Sequence, residues 1–232
     1  MEDLDDYILR VSNLSVTIQD QMILDDISFQ VKKGTTLAIV GPNGAGKTML
    51  FRALLNLVPY SGSIEWRGKI KTGYVPQNLS AGDVPISVKE FLSLKNVSNI
   101  EDSLTAVGLD SQNVVDKRLG VLSGGQLRRV LIAWAIIDKP DVLLFDEPTT
   151  GVDLDSEESI YRMLRDLSKK YEITMIIISH NVHIVTEYSD YMLALNRCMN
   201  FFGESKEIKD PDLQTIIYGE TVCKHGSSPT GD

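Results

Sequence analysis

Residues 41–48 read Gly41-Pro42-Asn43-Gly44-Ala45-Gly46-Lys47-Thr48 and fit G-x-x-x-x-G-K-[ST]. No other stretch of the chain constrains its fold as strongly. It follows Thr36-Leu37-Ala38-Ile39-Val40, a continuous apolar run expected to form a strand buried on both faces. It opens a helix expected over about 47–57 and stopped by Pro59. Glycines let backbone N–H groups converge on phosphate oxygens without obstruction. The helix N-terminus adds the positive end of its dipole. Lys47 is placed to reach the β- and γ-phosphates, and Thr48 to offer its hydroxyl to Mg²⁺. A glycine-rich turn could match by accident, but the strand–loop–helix setting argues for nucleotide binding.

The flanking chain supports an α/β fold. Leu9/Val11, Leu14/Val16/Ile18 and Ile27/Phe29/Val31 step by two, as in antiparallel strands with one buried face. Lys33-Gly34 makes a turn. Two more buried strands are expected at 141–145 and 173–178, with helices at about 155–169 and 181–188. This alternation predicts a mostly parallel sheet with helices on both faces, preceded by a small antiparallel β subdomain. Residues 78–137 lack an obvious buried strand and read as an inserted helical subdomain. The expected organisation is one unit over 1–220. The tail at 221–232, rich in Gly and Ser, has a disordered composition.

Composition narrows the function classes. The 232 residues carry 23 Lys+Arg against 32 Asp+Glu, a net charge of −9, which argues against nucleic acid as a partner. The longest apolar run, Val130 to Ile137, is far short of the roughly 20 residues that span a bilayer. The acidic start, Met1 to Asp6, lacks an export-signal core. Cys198 and Cys223 have neither metal-site spacing nor a disulfide framework, so a reducing cytoplasm is the expected compartment.

Two further segments carry chemistry. Val142-Leu143-Leu144-Phe145-Asp146-Glu147 is an apolar strand ending in two carboxylates. Beside a phosphate loop, Asp146 would hold Mg²⁺ and Glu147 would accept a hydrogen bond from the attacking water. Taken alone, the pair could equally be a solvated strand end. Leu122-Ser123-Gly124-Gly125-Gln126 precedes a helix with Leu127, Val130, Leu131, Trp134 and Ala135 on one face. Ser123 is a suitable N-cap, and the glycines leave the backbone open. This is either a capped helix after a glycine turn or a second anion cradle, serving a nucleotide on another subunit.

Together these residues resemble the ATP-binding subunit of ABC transporters, from about Tyr7 to Gly219. The phosphate loop and the carboxylate strand match the family's Walker motifs, and Leu122 to Gln126 its signature sequence. Gln77, in Tyr74-Val75-Pro76-Gln77, matches the Q-loop glutamine, which ligates Mg²⁺ and senses the helical subdomain. Thr150-Gly151-Val152-Asp153 matches the D-loop, with Asp153 at a dimer interface. Ser179-His180 matches the switch histidine at the γ-phosphate. Outside the family, His180 would more often be structural.

The resemblance implies an ATPase with ATP and Mg²⁺ as cofactors. It implies a head-to-tail dimer, with each nucleotide between Gly41–Thr48 of one copy and Ser123–Gln126 of the other. It implies a membrane-spanning permease at the cytoplasmic face of the membrane, and indirectly an extracytoplasmic substrate-binding protein. The permease would dock near Gln77 to Phe91, where Leu79, Val84, Ile86, Val88 and Phe91 are available. Val88 and Phe91 read better as core. Gly73 to Gln77, Asp83 to Val88, Gly125-Gln126-Leu127 and Leu195-Asn196-Arg197 look like the importers of manganese, zinc or iron ions. The competing class is a soluble ABC-type ATPase of iron–sulfur cluster assembly.

Three positions depart from the family's pattern. Ile18 stands where an aromatic residue usually stacks on adenine. Trp134 stands where an arginine is usual, and Val121 where a glutamate is frequent.

Overall fold

The computed structural model describes residues 6–77, 85–95, 99–148, 154–208, 215 and 217, with backbone alone at 154–156. It is an α/β protein with a mostly parallel sheet, an antiparallel sheet and surrounding helices. Two compact units divide it: 1–69 with 178–232, and 70–177. No described helix is long and apolar enough to cross a membrane.

In the first unit, β1 (Tyr7–Ile18) pairs antiparallel with β2 (Gln21–Lys32) and with β4 (Ser61–Trp66), in the order β2-β1-β4. The two expected pieces Leu9/Val11 and Leu14/Val16 are one strand. A register shift between Val11 and Leu14, with Asn13 at φ 50°, restores the apolar face after an odd step. Leu9, Leu14, Val16 and Ile27 are fully buried as a result. Gln19 and Asp20 both have positive φ, as a tight two-residue hairpin turn requires. Without a glycine, that turn was invisible in the sequence.

β3 (Thr36–Val40), buried at every position, pairs parallel with β8 (Tyr191–Asn196). β8 in turn pairs antiparallel with β9 (Cys198–Glu204). The phosphate loop leaves β3 and enters α1 (Lys47–Leu54), which buries Leu50, Phe51 and Ala53. This helix is three residues shorter than the sequence predicts. Asn56, at φ 56°, ends it: its N–H donates to the Ala53 carbonyl and that of Leu57 to Arg52. This left-handed C-terminal cap stops the helix before Pro59 can. Cys198 is disulfide-bonded, which corrects the expectation of unpaired cysteines; no free cysteine occurs among the described residues.

In the second unit, β5 (Thr72–Val75) pairs parallel with β6 (Val142–Asp146), and β7 (Thr174–Ile178) follows in the order β5-β6-β7. Between β5 and β6 lie α2 (Val88–Ser93), α3 (Ile100–Ala106), α4 (Ser111–Val114) and α5 (Gly124–Ile136). Ser87 and Glu90 cap α2 reciprocally, and these bonds hold the Glu90 carboxyl below its usual range. Phe91 stacks on Trp134 with ring centroids 5.7 Å apart. Lys95 Nζ lies 4.1 Å from the Trp134 ring centroid and 3.2 Å from Asp138. Val88 is fully buried, as expected, whereas Phe91 is only half-buried and joins α2 to α5 through its stack on Trp134. Leu79 and Val84 lie outside the described residues. The long α6 (Leu154–Tyr171) precedes β7; α7 (Val182–Tyr188), which follows β7 in the chain, belongs to the first unit.

Candidate functional site

The phosphate loop is built where only glycine fits. Gly41, at φ 149°, closes on β8: a Cβ there would overlap the Leu195 carbonyl oxygen. Gly46, at φ 95°, would place a Cβ 2.5 Å from Leu24 Cδ2. Gly46 is also the N-cap of α1 and makes no side-chain cap. The first N–H groups of that helix thus have no capping side chain over them. Ala45 is buried, and its carbonyl accepts the Arg197 N–H at 3.0 Å, which ties the loop to the β8–β9 turn. Asn43 and Gly44 are exposed at the loop's tip.

Lys47 is 6% exposed. Its Nζ donates to the carbonyls of Gly41 at 2.7 Å and Pro42 at 2.9 Å. The cation thus sits over the loop's own backbone, where phosphate oxygens could replace the carbonyls. Thr48 is half-buried in the first turn of α1. In the same unit, Ser179 is buried and its N–H donates to Ile39 at 3.1 Å. His180, next in the chain, is exposed.

The second unit assembles the carboxylates with the glutamine. Asp146 ends β6 at 2% exposure, and Glu147 follows at 9%. Glu147 has φ 52°. That conformation is unfavourable for a side-chain-bearing residue, and doubly so before Pro148. Such a backbone costs about 1–3 kcal/mol and clusters at functional sites. Gln77, just past β5, donates its Nε2 to Glu147 Oε2. The glutamine and the proposed base are therefore in direct contact.

Ser123 caps α5: its hydroxyl accepts from the Gln126 N–H, and Gln126 Oε1 accepts from the Ser123 N–H, both at 3.2 Å. Gly124 is exposed, and a Cβ on Gly125 would meet nothing within 4 Å. The capped-helix reading is therefore present in the structure. It leaves the glycine pair clear for a partner to approach. Asp153 lies outside the described residues.

One buried polar residue was missed. Arg128, on α5, is 7% exposed, and burial holds its pKa below the usual arginine value. Its Nη1 donates to the Pro76 carbonyl at 3.2 Å and its Nη2 to that of Gln77 at 3.0 Å. The sequence hint was its place directly after Leu127 on a helix whose apolar set already fills one side. The neighbouring Arg129 was missed as well. It ties α5 to α3's end through Val107 and to α6 through Ser159.

Ile18 closes β1 opposite Gln21 and is half-buried. An aliphatic side chain here gives up the stacking term of an aromatic platform, about 0.5–1.5 kcal/mol. Ile18→Tyr is expected to tighten ATP binding by about 2- to 10-fold and to widen the preference for ATP over GTP. Titration of both nucleotides against both chains checks this. Unchanged ATP affinity would show that Ile18 does not face the base.

Comparison with known proteins shows the family. The ABC transporter family profile matches residues 24–150. The chain is 33% identical over 222 residues to the zinc import ATP-binding protein ZnuC of Pseudomonas syringae, covering 94% of this chain and 84% of that protein. It is 36% identical over 205 residues to ZnuC of Rickettsia conorii, covering 87% and 88%. Among solved structures it resembles cbiO1 of Clostridium perfringens, part of the ABC transporter complex cbiONQ. There the TM-score is 0.79 and the identity 29%, over 88% of this chain and 90% of that one. It also resembles the ADP conformation of MJ1267, an ATP-binding cassette of an ABC transporter. That match has a TM-score of 0.77 and 26% identity, over 92% and 99%.

Proposed function

Since this chain belongs to the ABC transporter family as an ATP-binding, ATP-hydrolysing subunit coupled to transport, we propose that it powers the import of zinc through a separate membrane-spanning permease. The observation that carries the choice of ion is the pair of zinc-import relatives at 33% and 36% identity. Their names favour metal import over iron–sulfur cluster assembly.

The site residues take the following roles. Gly41 to Thr48 cradle the ATP phosphates, with Asn43 and Gly44 presenting backbone N–H groups, Ala45 holding the turn through its N–H to the Pro42 carbonyl, and Lys47 supplying its cation. Thr48, Gln77 and Asp146 offer a hydroxyl, a carboxamide and a carboxylate, the hard oxygen set that suits Mg²⁺. When bound, Mg²⁺ neutralises charge on the β- and γ-phosphate oxygens. Glu147 accepts a hydrogen bond from the attacking water. Its Oε2 accepts from Gln77 Nε2, which leaves Oε1 for the water, and Gln77 keeps its own Oε1 for the metal. His180 contacts the γ-phosphate. Two copies pack head to tail, so Ser123, Gly124, Gly125 and Gln126 of one face the ATP of the other, and Asp153 lies at their interface.

The unit spans 1–220, with a helical subdomain at 78–137 that receives the permease. The chain then works at the cytoplasmic face of the membrane, and an extracytoplasmic binding protein delivers the ion to the permease.

The test is copurification and uptake. The tagged chain, drawn from detergent-solubilised membranes, is expected to carry a polytopic membrane protein. Deleting the chain's gene should abolish high-affinity zinc uptake. A soluble scaffold as the sole partner would overturn the transport role here. Loss of manganese uptake with zinc uptake intact would overturn the choice of ion.

A further inference from the structure

Arg128 has no part in the roles assigned above, yet it joins three of their elements. It sits two residues beyond the Ser123–Gln126 cap, on the buried side of α5. Its two Nη groups donate to consecutive carbonyls, Pro76 at 3.2 Å and Gln77 at 3.0 Å. A planar, rigid guanidinium bound to two successive carbonyls fixes the backbone between them. The side chain of that same Gln77 donates to Glu147. A continuous line of bonds therefore runs from α5, through the backbone after β5, to the carboxylate after β6.

A buried cation is costly unless it is paired. Among the described residues no carboxylate pairs with Arg128; its partners are the two carbonyls. An apolar side chain would fill the same space on α5 without that desolvation. The arginine is thus better explained by what it holds than by packing.

We propose that Arg128 is a positioning residue for hydrolysis: it fixes the Pro76–Gln77 backbone so that the Gln77 side chain is aimed at Glu147. This rests on reading Gln77 and Glu147 as site residues. It gives α5, which begins with the signature residues, a direct mechanical hold on the glutamine. A displacement of α5 would then be transmitted to the hydrolysis centre.

The test uses the full chain in steady-state ATP hydrolysis with Mg²⁺ present. Variants are Arg128→Met, Arg128→Gln, Arg128→Lys, Gln77→Ala and the double Arg128→Gln/Gln77→Ala, with Glu147→Gln as reference. Arg128→Met and Arg128→Gln should lower kcat on the order of 10-fold, with KM for ATP within about 2-fold of native. Arg128→Lys, which keeps a cationic donor, should recover part of the loss. Because Arg128 acts through Gln77, adding Arg128→Gln to Gln77→Ala should change kcat by less than about 2-fold. If Arg128→Met does not fold, Arg128→Gln carries the same comparison.

Losses that multiply in the double variant would overturn the proposal, since Arg128 would then act elsewhere. Native kcat in the folded Arg128 variants would overturn it too, provided Glu147→Gln is inactive. If Glu147→Gln hydrolyses ATP at the native rate, the underlying assignment of the base fails, and this inference fails with it.

Discussion

Glu147→Gln is expected to lower ATP turnover by about 10²- to 10⁴-fold, the range a general base contributes, while leaving ATP binding intact. The substitution keeps the side chain's size and its place in a buried turn at φ 52°. It removes the carboxylate that would accept from water. It also changes the contact with Gln77, because two carboxamides must then share one hydrogen bond. ATP bound between two copies should accumulate unhydrolysed. Size-exclusion chromatography with ATP and Mg²⁺ should therefore show a stable dimer for Glu147→Gln and a transient one for the native chain. Turnover at the native rate would remove Glu147 from the chemistry. An inactive variant that stays monomeric would keep the base but remove the ATP-sandwiched dimer.

Gly41→Ala should have the largest structural effect of any single-methyl change in the phosphate loop. The added Cβ would overlap the Leu195 carbonyl oxygen, which is backbone and cannot rotate away. The ends of β3 and β8 are paired at Val40 and Ala194, so relief requires breaking that pairing. A loss of about 3 kcal/mol in unfolding free energy is expected, in the range of overpacking and backbone strain combined. ATP affinity should fall with it. Gly44→Ala is the matched control. Its φ of 78° is strained for alanine, but a Cβ there would meet nothing within 4 Å. Strain alone costs about 1–2 kcal/mol. Urea unfolding of the two variants checks the difference. Equal losses would mean that strain, not the approach of β8, governs the loop.

What the sequence made legible follows from physical locality. The phosphate loop, the buried strands at Thr36–Val40 and Val142–Asp146, and the capped helix at Ser123 are local patterns: apolar runs, glycines and caps within a few residues. β4 and β5 are short and half-exposed, and their apolar content is too thin to announce a strand. The Gln19-Asp20 turn and the left-handed Asn56 depend on backbone angles that side chains other than glycine only weakly advertise. The end of α1 was misplaced for that reason: Pro59 was the visible stop signal, and Asn56 was the operative one. Arg128 was missed for a different reason. Its partners are main-chain carbonyls about fifty residues away, and no side-chain pattern records a bond to backbone.

The position of Lys47 bears on how the loop meets its ligand. A lysine in solution holds about 2 kcal/mol of rotamer freedom, which an incoming anion would ordinarily have to remove. Here two carbonyl contacts already confine the ammonium. Much of the ordering entropy is therefore lost on folding rather than at the encounter. Phosphate binding becomes an exchange of acceptors around a cation that is already placed, neutral dipoles giving way to charged oxygens. The enthalpy of that exchange should dominate the calorimetric signature of nucleotide capture.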